Sequence, residues 1–227
     1  MKTGKLIVVE GTDCSGKETQ TNLLIERLKS ENRKIKKLSF PAYNTPTGKI
    51  VGGSYLGKEH IGQGLFPEGA ANVDPKVAAL YFAADRKYNA KKVIDLLANG
   101  TSVLLDRYIE SNMAHQGGKL VSPAERRAMY NWLEKLEYEL LELPRPDLTI
   151  FLYMPYQFAL ELKKNRAETA DQHENSVEHF LQAEKAFLEL AELYKFHRID
   201  CVKNNQIRSI DEIHQEVASL VSGLIFS

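Results

Sequence analysis

The chain has 227 residues, 43% hydrophobic and 26% charged, with thirty basic and thirty acidic side chains. This is the make-up of an ordinary globular chain with one sizeable core, and the cancelled charge excludes the global positive field of a nucleic-acid or membrane-surface binder. No apolar run approaches the length that spans a bilayer, no signal peptide is expected, and Cys14 and Cys201 lack metal-ligand spacing, which points to a reduced, cytoplasmic setting.

The first element is an apolar strand, Leu6-Ile7-Val8-Val9, followed by a glycine loop and a helical pattern at Thr21, Leu24, Ile25 and Leu28. Lys34–Ser39 reads as a second strand ending at Phe40-Pro41. The basic cluster Arg33, Lys34, Lys36 and Lys37 reads as a solvated turn and strand edge. A turn-rich segment and a short helix over Gly48–Leu56 come next, then a long loop, Gly57–Asn72, holding four glycines and a proline. Asp74-Pro75 predicts a helix start, with Asp as N-cap and Pro in the first turn, and the helix runs to about Asn99 before Gly100. Ser102–Leu105 is the third strand, ending in Asp106-Arg107-Tyr108. Ser122 to Glu125 has the form of a capping box that opens a helix to about Leu141. Pro144 and Pro146 precede a fourth strand, Leu148–Tyr153, and a helix from about Tyr156 leads to a polar stretch, Lys163–Glu174. Asn175 to Glu178 reads as a further capping box on a helix to about Tyr194. Arg198–Val202 is the fifth strand, Ser209–Glu212 caps the last helix, and the apolar stretch Val217–Phe226 reads as its packed end.

Short apolar strands alternating with helices predict an α/β fold: a five-stranded parallel sheet with helices on both faces. In such sheets ligands bind beyond the carboxyl ends of the strands, where Glu10-Gly11, Phe40-Pro41 and Asp106-Arg107 fall.

The glycine loop carries the chemistry. Gly11-x-x-x-x-Gly16-Lys17 between a strand and a helix is a phosphate cradle: glycines let backbone N–H groups close on a polyphosphate, the helix N-terminus faces it, and the ammonium bridges the outer phosphates. The residue after Lys17 would ordinarily be a Ser or Thr that holds Mg²⁺. Here it is Glu18, and Thr19 is one place too late to point the same way. Phosphoryl transfer needs positioning and positive charge, for which Lys17, Arg86, Arg107 and Arg166 are candidates; Asp106, at a strand end, is a candidate Mg²⁺ partner and Glu18 a second, through a water. Phe82 shares a helix face with Arg86, a pair suited to stack on and hydrogen-bond a flat base, although core packing is the ordinary fate of a helical Phe.

The stretches EGTDCSGKETQ, FPAYNTPTG, YFAADR and DRYIESNMAHQGGK occur in the order and spacing of the thymidylate kinase family, and the resemblance extends over essentially the whole chain. It implies one kinase domain over residues 1–227 of the P-loop nucleoside monophosphate kinase type. Its phosphate loop is 10–19, its acceptor regions are 40–48, 82–86 and 106–118, and a short mobile lid lies at about 163–175. ATP would sit on Gly11, Thr12, Asp13, Cys14, Ser15, Gly16, Lys17, Glu18 and Thr19, with Mg²⁺. The resemblance also implies that Asp13 contacts the acceptor sugar, Phe40 and Pro41 line the pocket, Phe82 stacks on thymine, and Arg86 bonds the base. Arg107 would grip the acceptor phosphate, Ser111 and Gln116 border the base, and His115 lie beside the sugar. Catalysis would fall to Lys17, Arg107 and the lid residue Arg166, and the expected assembly is a homodimer packed on the helix Asp74–Asn99. Tyr43 stands where the F-P-x-R form of the motif has an arginine, and Cys14 where some relatives have one. Two further readings stay open from the residues: a kinase for another deoxynucleotide or a nucleoside, and a nucleotide-binding relative that has lost catalysis.

Overall fold

The computed structural model describes residues 3–164 and 177–225. Arg166, most of the expected lid, and the Asn175-Ser176 half of one expected capping box lie outside the described residues.

Five strands form one parallel sheet: β1 (Leu6–Gly11), β2 (Ile35–Ser39), β3 (Ser102–Asp106), β4 (Leu148–Tyr153) and β5 (His197–Asp200), in the order β2-β3-β1-β4-β5. β1 is buried along its whole length because helices cover both faces of the sheet at its centre, which is why it reads as a continuous apolar run. On one side pack α3 (Pro75–Ala98), α4 (Ile109–Gly118), α5 (Pro123–Glu134) and α7 (Val177–Leu193), around Val8, Leu105, Met113, Tyr130, Phe151 and Phe187. On the other side α1 (Lys17–Ser30), α6 (Tyr156–Lys164) and α8 (Ile210–Ile225) close over Ile7, Val9, Leu24, Ile150 and Val217. α2 (Pro46–Lys49) continues as a π-helical turn, Ile50–Tyr55, and α5 as another, Lys135–Leu140.

Asp74 caps α3 as its position predicts, its carboxylate accepting from the N–H groups of Lys76 and Val77. Ser209 and Glu212 form the reciprocal box at α8. Ser122 does not: its side chain makes no cap bond. Arg126 holds that turn instead, its Nη1 donating to the carbonyls of Leu120 and Val121. The fifth strand is shorter than its apolar pattern. Val202–Lys203 (β6) turns away to pair antiparallel with Gln206–Ile207 (β7), because Asn204 and Asn205 both adopt positive φ (51° and 60°), the two-residue turn that suits a hairpin. The register sets Val9 and Ser39 both beside Asp106, so β1, β2 and β3 end together on one edge.

Candidate active site

The phosphate loop starts where β1 stops. Gly11 cannot carry a side chain, since a Cβ there would lie 2.5 Å from Ser15 Oγ and 2.6 Å from the Leu152 carbonyl. Gly16 takes φ 79°, the left-handed conformation that opens α1. Thr12 Oγ1 donates to Met154 O at 2.7 Å and accepts from Met154 N–H at 2.8 Å, fastening the loop to the end of β4. The Lys17 ammonium is folded onto its own loop, 2.8 Å from the carbonyls of both Gly11 and Thr12. Burial and the nearby Arg107 depress its pKa to about 8, against Asp13, Asp106 and Glu10, which raise it. Glu18 and Thr19 are exposed on the first turn of α1.

The other half of the site is built on the end of β3. Arg107 adopts φ 67°, a conformation that costs a non-glycine residue roughly 1–2 kcal/mol. It is held there by its own N–H on Val9 O at 3.2 Å and by Glu10, which accepts from the next N–H, that of Tyr108, at 2.7 Å. Arg107 Nη2 lies 3.5 Å from Asp13 Oδ1, and Nη1 lies 3.4 Å from Ser111 Oγ. Burial pulls the Arg107 pKa down, but Asp13, Glu10, Asp106 and the Tyr43 phenol outweigh it and leave it raised.

Phe40, Pro41, Phe82, Arg86, Arg107, Ser111, His115, Gln116 and Asp13 all line one cavity of about 230 Å³. Every residue expected to bind the acceptor is thus brought to one place, although they come from four separate parts of the chain. Phe82 stands edge-on to Tyr55, ring centroids 5.5 Å apart, and is half-buried. Gln116 is completely buried, and neither its Oε1 nor its Nε2 has a partner among the described residues. A buried amide left so costs on the order of 1–3 kcal/mol, an arrangement that a hydrogen-bonding ligand would repair. His115 stacks on His179 of α7, rings 13° from parallel, Nδ1 3.3 Å from Nε2.

Three participants are not readable from the sequence. Glu10 orders the start of α4. Glu137 takes Arg86 in a two-pronged pair, Nη2 to Oε1 at 2.6 Å and Nε to Oε2, with Asn112 Nδ2 also on Oε1 at 3.1 Å. Asp85 fixes the Pro41–Thr47 turn, accepting from Ala42 N–H and Thr47 Oγ1, each at 2.8 Å. Glu137 sits 51 residues from Arg86 with no motif around it; only its burial in an otherwise polar stretch, EKLEYEL, sets it apart.

A phosphate loop facing a cavity lined by aromatic rings, arginines and an unpaired amide, on the carboxyl edge of a parallel sheet, defines a P-loop nucleotide phosphotransferase. The thymidylate kinase family model matches residues 9–217. The chain is 32% identical over 96% of its length to a probable thymidylate kinase of Pyrococcus horikoshii, covering 96% of that protein, and 29% identical to the Schizosaccharomyces pombe thymidylate kinase, covering 97% of this chain and 93% of that one. The solved structure of thymidylate kinase from Candida albicans superposes with a TM-score of 0.72 at 26% identity, covering 97% of this chain and 92% of that one. The chain belongs to the thymidylate kinase family, ATP-dependent phosphotransferases that convert dTMP to dTDP.

Proposed function

We propose that residues 1–227 act as one catalytic unit in which the cavity at Arg107 holds dTMP and the Gly11–Thr19 loop holds ATP. The observation that carries this is the convergence of Phe82, Arg86, Arg107 and the unpartnered Gln116 amide on one cavity beside Asp13 and the phosphate loop. In this reading Phe82 stacks on thymine, Arg86 and Gln116 bond base edges, and Ser111 and His115 border the base and sugar. Asp13 takes the sugar hydroxyl, Phe40 and Pro41 close the wall, and Arg107 takes the acceptor phosphate. Lys17 leaves the loop carbonyls for the ATP phosphates and follows the migrating group, where positive charge lowers the barrier.

Among the described residues no group of three or more His, Cys, Asp or Glu side chains could hold a metal ion, which suits Mg²⁺ gripped mainly by substrate phosphates. Of the carboxylates at this edge, Glu10 is committed to three hydrogen bonds, whereas Asp106, 14% exposed, acts on Lys17 and has one oxygen 3.6 Å from Lys37 Nζ, which leaves its other oxygen to suit such an ion. Glu18, exposed on the first turn, fits through a water. Bound there, Mg²⁺ would neutralise β- and γ-phosphate charge.

Arg166 is proposed as the lid arginine that stabilises transferring charge; unchanged turnover in Arg166→Ala would remove that role. The homodimer is proposed on α3, where Val77, Leu80, Tyr88 and Ile94 are exposed apolar side chains, and a monomer by light scattering would overturn it. Two free thiols suit the cytoplasm, and no helix among the described residues is long and apolar enough to cross a membrane.

A coupled ADP-release assay with ATP, Mg²⁺ and a panel of nucleoside monophosphates tests the whole. Preferred turnover of dTMP is expected. Preference for another acceptor would overturn the cavity assignment, and binding without turnover would overturn the catalytic one.

A further inference from the structure

Among the residues that line the acceptor cavity, Phe40 and Pro41 come from the turn after β2, and Phe82 and Arg86 from α3. The turn is closed by its own hydrogen bonds. Thr45 donates to Ala42 O from both its N–H and its Oγ1, each at 2.8 Å, and Thr45 Oγ1 accepts from Gly48 N–H at 3.2 Å. A Cβ on Gly48 would lie 1.9 Å from Ala42 O, so nothing larger than glycine fits where the turn doubles back. These bonds shape the turn, but none of them reaches α3.

The short bonds that do reach α3 end on Asp85. Its Oδ2 accepts from Ala42 N–H at 2.8 Å, and its Oδ1 accepts from Thr47 Oγ1 at 2.8 Å and from Asn89 Nδ2, one turn further along the helix, at 3.1 Å. Asp85 is 1% exposed. A carboxyl group buried that far is costly unless its oxygens find donors, and here both do. The placement ties these bonds to the cavity. Ala42 follows Pro41 directly, Asp85 precedes Arg86 directly, and Phe82 is three residues back on the same turn of α3. The Ala42–Asp85 bond spans 43 residues and has a wall residue next to it at each end. Asp85 itself is not in the wall.

We infer that Asp85 is a positioning residue for the acceptor: it fixes the Phe40-Pro41 wall against Phe82 and Arg86, and so sets the width of the slot that takes the base. The inference rests on the acceptor reading of the cavity. A slot held at its working width spares the acceptor the cost of ordering it, a saving that enters binding rather than the chemical step.

Steady-state kinetics of the full chain, with dTMP and ATP varied separately, test it in the wild type, Asp85→Ala, Asp85→Asn and Thr47→Val. Asp85→Ala is expected to raise KM for dTMP about tenfold, with kcat and KM for ATP near their wild-type values. Asp85→Asn keeps an oxygen for Ala42 N–H and an amide that can donate to Thr47 Oγ1, so it should recover most of the loss. Thr47→Val removes one bond from the turn side at nearly constant shape; it should raise KM for dTMP roughly threefold, and it decides the matter if Asp85→Ala does not fold. Unchanged KM for dTMP in these variants, KM values for ATP and dTMP that rise together, or a loss confined to kcat would overturn the assignment while the acceptor reading stands. A wild type that prefers another monophosphate would overturn the acceptor reading itself.

Discussion

Glu10 and Ser111 meet across 101 residues of sequence: the Ser111 hydroxyl donates to Glu10 Oε2 at 2.6 Å, and its backbone N–H to Oε1 at 3.0 Å. One carboxylate at the end of the phosphate-loop strand therefore ties down the first turn of the helix that brings Ser111, His115 and Gln116 to the cavity wall. Arg107 adds a second tie between the phosphate loop and the end of β3, its Nη2 standing 3.5 Å from Asp13 Oδ1.

Removing the Glu10 joint has a defined outcome. Glu10→Ala strands the Tyr108 and Ser111 N–H groups in a buried place, at roughly 3 kcal/mol of stability by urea denaturation, and raises KM for dTMP. Glu10→Gln keeps one oxygen for both N–H groups and can donate to Ser111 Oγ, so it should lose less than half as much. Equal losses in the two variants would reject the hydrogen-bonding role.

Arg86 is 2% exposed and Glu137 fully buried, so neither charge is tolerable without the other. Glu137→Ala is expected to cost about 3–5 kcal/mol. Glu137→Gln, milder, should raise KM for dTMP more than it lowers kcat, because it loosens Arg86, the residue proposed to bond the base. A kcat effect alone would place Glu137 elsewhere in the cycle.

Glu110, buried beside Tyr138, has its pKa raised from 4.5 to about 8, first by burial and then by Glu10. The folded state holds a proton that the unfolded state releases between pH 4.5 and about 8, so stability falls as pH rises through that window, by up to about 1.4 kcal/mol per unit. Glu110→Gln removes this slope. Denaturation midpoints from pH 5 to 8 that fall equally in both proteins would contradict it.

Lys17, depressed to about 8 while it rests on the loop carbonyls, should rise when polyphosphate arrives, since anions favour the ammonium. ATP binding at pH 8 to 8.5 is then accompanied by proton uptake. Calorimetry in buffers of different ionisation enthalpy reads it directly, and Lys17→Met should abolish it along with turnover.

Much of this site was legible before any fold was known. The phosphate loop, Phe82-Arg86 and Arg107 through Gln116 stood in recognisable stretches. Helix α4 was not, for a physical reason. It is buried on nearly every side, from Ile109 to Gly118 with only His115 half-exposed, so it has no polar face to give a 3.6-residue period, and its Ser, Asn and Gly residues are weak helix formers. The Ser122 box looked complete and did not form, since Arg126 supplied the local hydrogen bonds instead.

What the amino-acid order determined by itself were the local devices: the strand–loop–helix at Gly11–Lys17, the Asp74 and Ser209 caps, and the alternation that forces a covered parallel sheet. Each depends on neighbours a few residues away, within reach of propensity and period. What only the tertiary structure decided were the partners of buried charge. Glu137 for Arg86 and Ser111 for Glu10 are contacts between segments 51 and 101 residues apart, and a carboxylate in a sequence carries no mark of the partner it will meet. Desolvation makes such pairs obligatory once the chain has folded, but topology chooses their members.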